Sequence, residues 1–194
     1  MNSFRNKLFT LRSFTPIPFI ILMLVFARPS IYTIIIGLIF VISGEVLRLW
    51  GVAYAGALTR VTGSVGAPEL IMAGPYSYVR NPLYLGNMLL YFGFGVMSNA
   101  LFPWLLVVAM IWFVFQYYQI VILEEDFLSK KFAELYREYA KHVPRFFPTF
   151  TPYVNSDIQS RQFPDWRVAF KSERRTFQAL GIVTVSLIII YWLR

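Results

Sequence analysis

Between Asn81 and Leu123 the chain runs 43 residues without an Asp, Glu, Lys or Arg. One apolar helix needs about 20 residues to cross the hydrocarbon core of a bilayer, so this stretch has the length of two crossings. Ser98-Asn99-Ala100-Leu101-Phe102-Pro103, near its middle, supplies the turn between them. Comparable apolar runs predict helices at 14–27, 30–57 and 176–193. With 82–98 and 101–124 they make about five transmembrane helices. The first is short and contains Pro16 and Pro18, and Arg5, Lys7 and Arg12 precede it as in a signal peptide. Ala27-Arg28-Pro29 is a poor cleavage site, however, and another apolar run follows at once, so a retained helix is expected.

The polar segments carry the remaining pattern. Thr59–Gly66 reads as a flexible loop and Ala67–Met72 as a short apolar return to the membrane surface. After Glu124-Glu125-Asp126, the residues Phe127, Leu128, Phe132, Leu135, Tyr136 and Tyr139 fall at helical spacing, which predicts a helix continuing out of the fourth crossing and stopping at Val143-Pro144. Asp157–Ser172 is polar and reads as a mobile connection. In the five-helix arrangement, 15 of the 18 Lys and Arg residues fall in the amino terminus, the second loop and the segment after the fourth helix. The positive-inside rule assigns those regions to the cytosol and the carboxyl terminus to the other side.

Composition agrees with the pattern. With 57% hydrophobic and 14% charged residues, the chain has too little polar surface to cover itself in water. It has no cysteine and a single His142, which excludes disulfides, a thiolate nucleophile and a Cys-ligated metal, and no metal site is expected. The net charge of +8 is spread over membrane-flanking segments rather than forming a stripe interleaved with exposed aromatics, which argues against nucleic acid as a partner.

Within the second helix Glu45 and Arg48 share a face, either as a structural ion pair or as the lining of a polar cavity. Gly37, Gly44 and Gly51 recur every seven residues and predict a close helix–helix contact. Phe92, Phe94, Phe113, Phe115, Trp104 and Trp112 read as lipid-facing surface or an aromatic belt. At Arg80-Asn81-Pro82 the proline is a natural first helical residue, leaving backbone N–H groups of Leu83, Tyr84 and Leu85 toward the cytosolic opening, where a carboxylate or another anion could bind. Three acids in a row at a membrane border are disfavoured by anionic lipid, so one of them, Glu124, is expected to meet a cation.

The two polar motifs, in this order, resemble the isoprenylcysteine carboxyl methyltransferases and the related phospholipid methyltransferases of membranes. The matching residues are Pro68-Glu69-Leu70-Ile71, Gly74-Pro75-Tyr76, Arg80-Asn81-Pro82-Leu83-Tyr84-Leu85-Gly86, Glu124-Glu125-Asp126-Phe127-Leu128, Phe132, Tyr136-Arg137-Glu138-Tyr139 and Val143-Pro144. The resemblance covers about residues 61–148 and does not extend to the first two helices or the last. It implies an all-α, polytopic membrane methyltransferase, a single domain over 1–194, with S-adenosylmethionine in a cytosolic pocket formed by Pro68, Glu69, Leu70, Ile71, Tyr76, Asn81, Pro82, Leu83, Tyr84 and Glu124.

The same resemblance implies a lipid-linked small molecule or prenylated peptide as methyl acceptor, beside membrane lipids. Asn81 stands where the family usually has His and cannot carry a proton in catalysis. Ile120 stands where the eukaryotic prenylcysteine enzymes have an Arg for the substrate carboxylate, which leaves Arg80 as the nearest cation. No catalytic acid or base is expected, because a carboxylate acceptor is already ionised at neutral pH, whereas an amine acceptor requires a base such as Glu124 or Glu45. Methyl esterification of an isoprenylcysteine-like carboxylate is therefore the expected activity. The alternatives are phospholipid amine N-methylation, an NADPH-dependent reductase of the sterol reductase kind, and a non-catalytic helix bundle.

Overall fold

In the computed structural model, which describes residues 2–56 and 67–194, the chain is a bundle of helices without a strand among the described residues. The helices are α1 (Asn2–Leu11), α2 (Pro16–Val25), α3 (Ile31–Ala55), α4 (Pro82–Ser98), α5 (Trp104–His142), α6 (Ser156–Gln159) and α7 (Trp166–Leu193), with a 3-10 turn at Gly74–Ser77. The expected loop at Thr59–Gly66, including Arg60, lies outside the described residues.

Local chemistry starts and stops these helices. Ser30 and Thr33 cap the start of α3 reciprocally, Asn155 caps α6, and Asp165 caps α7 by accepting from the Val168 N–H. Asn99 ends α4 in the left-handed conformation that asparagine tolerates. The α4–α5 turn therefore falls where the sequence places it. The connection between α2 and α3 packs beside this turn: the Arg28 N–H donates to the Ser98 carbonyl at 2.8 Å, and the Asn99 amide donates to the Arg28 carbonyl at 3.1 Å. Arg194 donates to the Ala27 carbonyl, so the carboxyl terminus joins the same end of the bundle.

Three helices, α3, α5 and α7, are long and apolar enough to cross a membrane, and α1 and α2 together make a fourth candidate bent by 49°. The expected first crossing at 14–27 is thus corrected: α2 has 10 residues, about half the length that spans the hydrocarbon core. It works as the second arm of a broken pair, with the two prolines at its start. At 17 residues, α4 sits near the lower limit for a crossing. Asp157–Ser172 is likewise not a polar connection throughout, since α7 begins at Trp166 and reaches ten residues further out than its apolar run.

The tightest packing is between α3 and α4. A Cβ on Gly44 would lie 2.7 Å from the Gly86 carbonyl oxygen, and one on Gly93 would lie 2.7 Å from that of Gly37. Each glycine thus lets the opposing backbone approach to a distance no side chain permits. Phe94 and Phe113, expected at the lipid surface, are instead in the main core with Met23, Val41, Leu90, Met97, Tyr117, Ile120 and Leu187. Trp104, Trp112 and Phe115 are exposed as expected.

A second, smaller core forms beyond the bundle. After a kink at Ala133 (φ 44°), the last part of α5 brings Tyr136, Tyr139 and Val143 against Leu70 and Met72. The helix expected to continue out of the fourth crossing is present and ends at His142, with Val143 as its extended cap.

Replacing Gly93 by Ala puts a methyl group against backbone that has no rotamer to escape into. We expect Gly93→Ala to cost about 1–3 kcal/mol and to lower the melting temperature in detergent. Gly181→Ala, where nothing lies within 4 Å, serves as the comparison and should not lower it.

Candidate active site

The segment that carries the first motif is positioned from outside itself. Gly74 adopts φ 62°, and a Cβ there would fall 2.3 Å from the ring of Tyr54, so both conformation and space require glycine. The Tyr139 hydroxyl donates to the Tyr76 carbonyl at 2.7 Å, and the Arg80 N–H donates to the Pro144 carbonyl at 2.9 Å. The N–H groups of Thr149 and Tyr153 donate to the carbonyls of Tyr78 and Ser77 at 3.0 and 2.9 Å. Gln162 satisfies the extended piece before the turn, donating to the Leu70 carbonyl at 2.8 Å and accepting from the N–H groups of Met72 and Ala73 at 2.9 and 3.1 Å. Residues 143–162 thus form a strap that fixes the backbone of 70–80.

Under this strap a cavity of about 550 Å³ opens between α1, α3, α4, α5, α7 and residues 67–71. That volume lies in the usual range for small-molecule sites. The expected residues Pro68, Glu69, Ile71, Tyr76, Arg80, Asn81, Pro82, Leu83, Tyr84 and Glu124 line it. Two others are elsewhere. Leu70 alternates away from Glu69 and Ile71 into the smaller core, 5% exposed, and Ile120 is fully buried in the main core.

The three consecutive acids take three different environments, as their separation of about 100° per residue around the helix requires. Glu124 faces the cavity and accepts from the Tyr84 hydroxyl at 2.6 Å. Glu125 accepts from Arg145 Nε at 3.1 Å and lies 3.5 Å from Arg80 Nη1. Asp126 is exposed. Bonding to Glu125 raises the Arg145 pKa further above its ordinary value, so the guanidinium stays charged. Arg80 also reaches the Tyr136 hydroxyl at 3.4 Å. The Asn81 side chain does not cap α4; its amide donates to the Arg145 carbonyl at 3.1 Å. Leu85, expected to offer a free N–H, donates it to the Asn81 carbonyl within the helix.

On the α3 side of the cavity, Arg48 Nη2 is held by both oxygens of Glu173 at 2.8 and 2.9 Å, while Nη1 donates to Asn87 and Nε lies 3.5 Å from Glu45. Glu45 and Arg48 are thus a pair as the spacing predicts, and Arg48 also lines the cavity. An aromatic wall completes the site: Tyr84 and Tyr117 lie 4.8 Å apart by ring centroid, and the Tyr117 hydroxyl donates to that of Tyr91. Burial pushes the Tyr76 phenol well above its ordinary pKa, with the Glu124 charge adding to the shift, so Tyr76 remains a hydroxyl at working pH.

Sequence reasoning missed the contributions of α1 (Phe9), the turn after it (Arg12, Ser13) and α7 (Glu173, Arg175, Thr176) to the lining. One signal was available: Glu173 is the only acid in the basic run Arg167–Arg175, and it marks the inward face of α7. Nothing comparable marks α1.

The phospholipid methyltransferase family matches residues 32–135, more than half of the sequence, and the chain belongs to that family. The match begins at the start of α3, so it includes the second expected helix, which the motifs alone did not reach. Among curated proteins, the cobalt-zinc-cadmium resistance protein CzcN of Cupriavidus metallidurans is 33% identical over 118 residues, covering 61% of this chain and 50% of that protein. The nickel-cobalt-cadmium resistance protein NccN of Alcaligenes xylosoxydans xylosoxydans is 32% identical over 113 residues, covering 58% and 48%. The chain spans about half the length of these relatives. No solved structure matches it.

Glu125→Gln removes the anion between Arg80 and Arg145 and leaves two guanidinium groups facing a neutral amide. Breaking a largely buried pair from one side costs about 3–5 kcal/mol when fully enclosed. With Arg145 one-third exposed, we expect a smaller loss, read as a lower melting temperature in detergent. Arg80→Gln in the same background should recover part of it.

Proposed function

We propose that the cavity binds S-adenosylmethionine and that the protein methylates a lipid-borne acceptor, by esterifying the carboxylate of an isoprenylcysteine-like lipid. The observation that supports this most is the 2.6 Å contact between Tyr84 and Glu124, which joins the two ends of the charge-free hairpin in one enclosed space. The donor set fits the cofactor. Glu124 suits its cationic amino group or ribose hydroxyls, the tyrosine faces suit its sulfonium, and Pro68, Ile71, Leu83, Phe127 and Leu128 suit its adenine. When bound, the cofactor supplies an electrophilic methyl group.

The protein's own residues bind, align and exclude water. Tyr84 fixes the rotamer of Glu124, Tyr76 presents a hydroxyl that does not ionise, and the apolar lining keeps water from the reacting centre. A carboxylate acceptor needs no base, which suits a site whose family histidine is Asn81. Arg80 is neutralised by Glu125 and Ile120 is buried in the main core without lining the cavity, so acceptor recognition in this reading rests on other residues. The whole chain acts as one domain, since α1 and α7 both reach the cavity, and the site faces the cytosol by the distribution of Lys and Arg. Amine methylation of a phospholipid is the second reading. It is favoured by the family's description and by Glu124, a carboxylate within the cavity that can take a proton. The relatives' names suggest metal resistance as the cellular setting. Membership of the phospholipid methyltransferase family supports methyl transfer as the chemistry we assign.

Titration of the purified protein with S-adenosylhomocysteine tests the cofactor assignment. Loss of one charge-assisted hydrogen bond costs about 1.5–3 kcal/mol, so Glu124→Gln should weaken binding roughly 10- to 150-fold. Unchanged affinity would refute the role given to Glu124. For the acceptor, label transferred from S-adenosylmethionine is treated with alkali. An ester releases volatile methanol, whereas base-stable label on phospholipid would replace the esterification reading with amine methylation.

A further inference from the structure

One face of α4 runs down the cavity wall from the start of the helix. Leu83, Tyr84, Asn87 and Tyr91 all line the cavity, at the three- and four-residue spacings that put side chains on one face. Tyr84 is taken by Glu124, with its hydroxyl 2.6 Å from the carboxylate. At about 1.5 Å per residue, Asn87 and Tyr91 lie about 5 and 10 Å beyond Tyr84 along the helix, inside the charge-free run from Asn81 to Leu123. Polar side chains at that depth are costly, and they commonly serve a ligand.

The donor-only chemistry of Arg48 decides how Asn87 is turned. Arg48 Nη1 donates to Asn87 Oδ1, and a guanidinium offers no acceptor in return, so the amide cannot be flipped. Its Nδ2 group, with two N–H donors, therefore turns away from Arg48, and among the described residues no protein acceptor receives them. Tyr91 has a similar surplus. Its hydroxyl and that of Tyr117 lie 3.3 Å apart, which uses one of the pair's two protons and leaves the other to donate elsewhere. Stacking on Phe113, with 4.0 Å between ring centroids, fixes the Tyr91 ring. Two uncharged donors thus stand one helical turn apart at the deep end of the cavity.

The ligand group that suits them is uncharged as well. Behind Asn87, Arg48 is shared between Glu173 at 2.8 Å and Glu45 at 3.5 Å. With two carboxylates to one guanidinium, that cluster has no cation to spare for an anion, and an anion at hydrocarbon depth loses its hydration without a counter-charge. A carbonyl oxygen needs only N–H and O–H donors near its plane.

We infer that Asn87 and Tyr91 bind an ester or amide carbonyl of the methyl acceptor, at the end of the cavity away from Glu124. This rests on the methyltransferase reading and deepens it: the acceptor is anchored by an uncharged oxygen at hydrocarbon depth, in addition to the group that is methylated. An acyl ester of a phospholipid and the amide of an isoprenylcysteine-like lipid both supply such an oxygen.

The test is a binding comparison on the full chain in detergent, read by native mass spectrometry or calorimetry with S-adenosylhomocysteine present. In each of two probe pairs one member lacks the carbonyl: dioleoylphosphatidylethanolamine against its dioleyl ether analogue, and N-acetyl-S-farnesylcysteine against S-farnesyl-3-mercaptopropionic acid. The wild type should bind the carbonyl member of at least one pair about fivefold or more tightly, the scale of one neutral hydrogen bond. The pair that responds tells acyl ester from amide. Tyr91→Phe removes the hydroxyl and keeps the ring on Phe113, and Asn87→Asp keeps an oxygen for Arg48 and removes the amide donors. Each should reduce the preference, and the two together should abolish it while S-adenosylhomocysteine affinity stays within about threefold. A merely structural role would weaken both members of a pair alike. The proposal is overturned if neither carbonyl probe is preferred, if the preference survives the double substitution, or if S-adenosylhomocysteine affinity falls in parallel. A wild type that fails to bind S-adenosylhomocysteine defeats the cofactor assignment, and the same probe comparison without it still decides the carbonyl contact.

Discussion

A guanidinium group cannot be left uncompensated inside a helix bundle, and the position of Arg48 organises much of this protein around that constraint. Its partners come from three helices: Glu45 on α3, Asn87 on α4 and Glu173 on α7. Removing a charge from water costs several kcal/mol unless close partners replace the lost hydration. The α3–α4 contact makes one partner reachable, because a Cβ on Gly86 would fall 2.6 Å from Arg48 Cγ. The glycine contact and the ion pair are therefore one arrangement, and together they bring α3, α4 and α7 to the wall of the cavity.

The same economy governs the acids after the hairpin. Glu124, Glu125 and Asp126 are chemically near-identical neighbours, yet helix rotation sends one into the cavity, one into a bridge between Arg80 and Arg145, and one into solvent. That separation allows a single run of sequence to supply a cavity-facing carboxylate and a structural one without competition between them. It also accounts for Arg80, which a linear reading treats as a free cation and the fold turns into a brace.

Much of this was legible in the sequence because membrane insertion leaves strong marks. Charge-free length located the hairpin, the seven-residue glycine spacing located the α3–α4 contact, and the paired polar motifs located about half of the cavity lining. What was hidden depends on contacts across long stretches of chain. Nothing local to Arg12 says that it reaches a cavity whose other walls lie tens of residues away, and the lone acid Glu173 marks an inward face without saying what that face meets. The broken α1–α2 pair was hidden for a different reason: hydropathy records how apolar a segment is, and proline positions alone do not say whether the chain bends or continues. Leu70 could have been excluded, since alternation along an extended segment turns every second side chain away from a shared wall.

The Gln162 side chain occupies the hydrogen-bonding edge that a neighbouring β-strand would otherwise fill along Leu70, Met72 and Ala73. It belongs to the strap, 27 residues beyond the end of the family-matched span at residue 135. The span that defines the family is consequently not a unit of cooperative folding in this chain. Opening of the strap releases the backbone of the cavity-facing turn with it, so the amides of Met72 and Ala73 are expected to share one exchange-protection energy with Thr149 and Tyr153 instead of reporting on the transmembrane bundle.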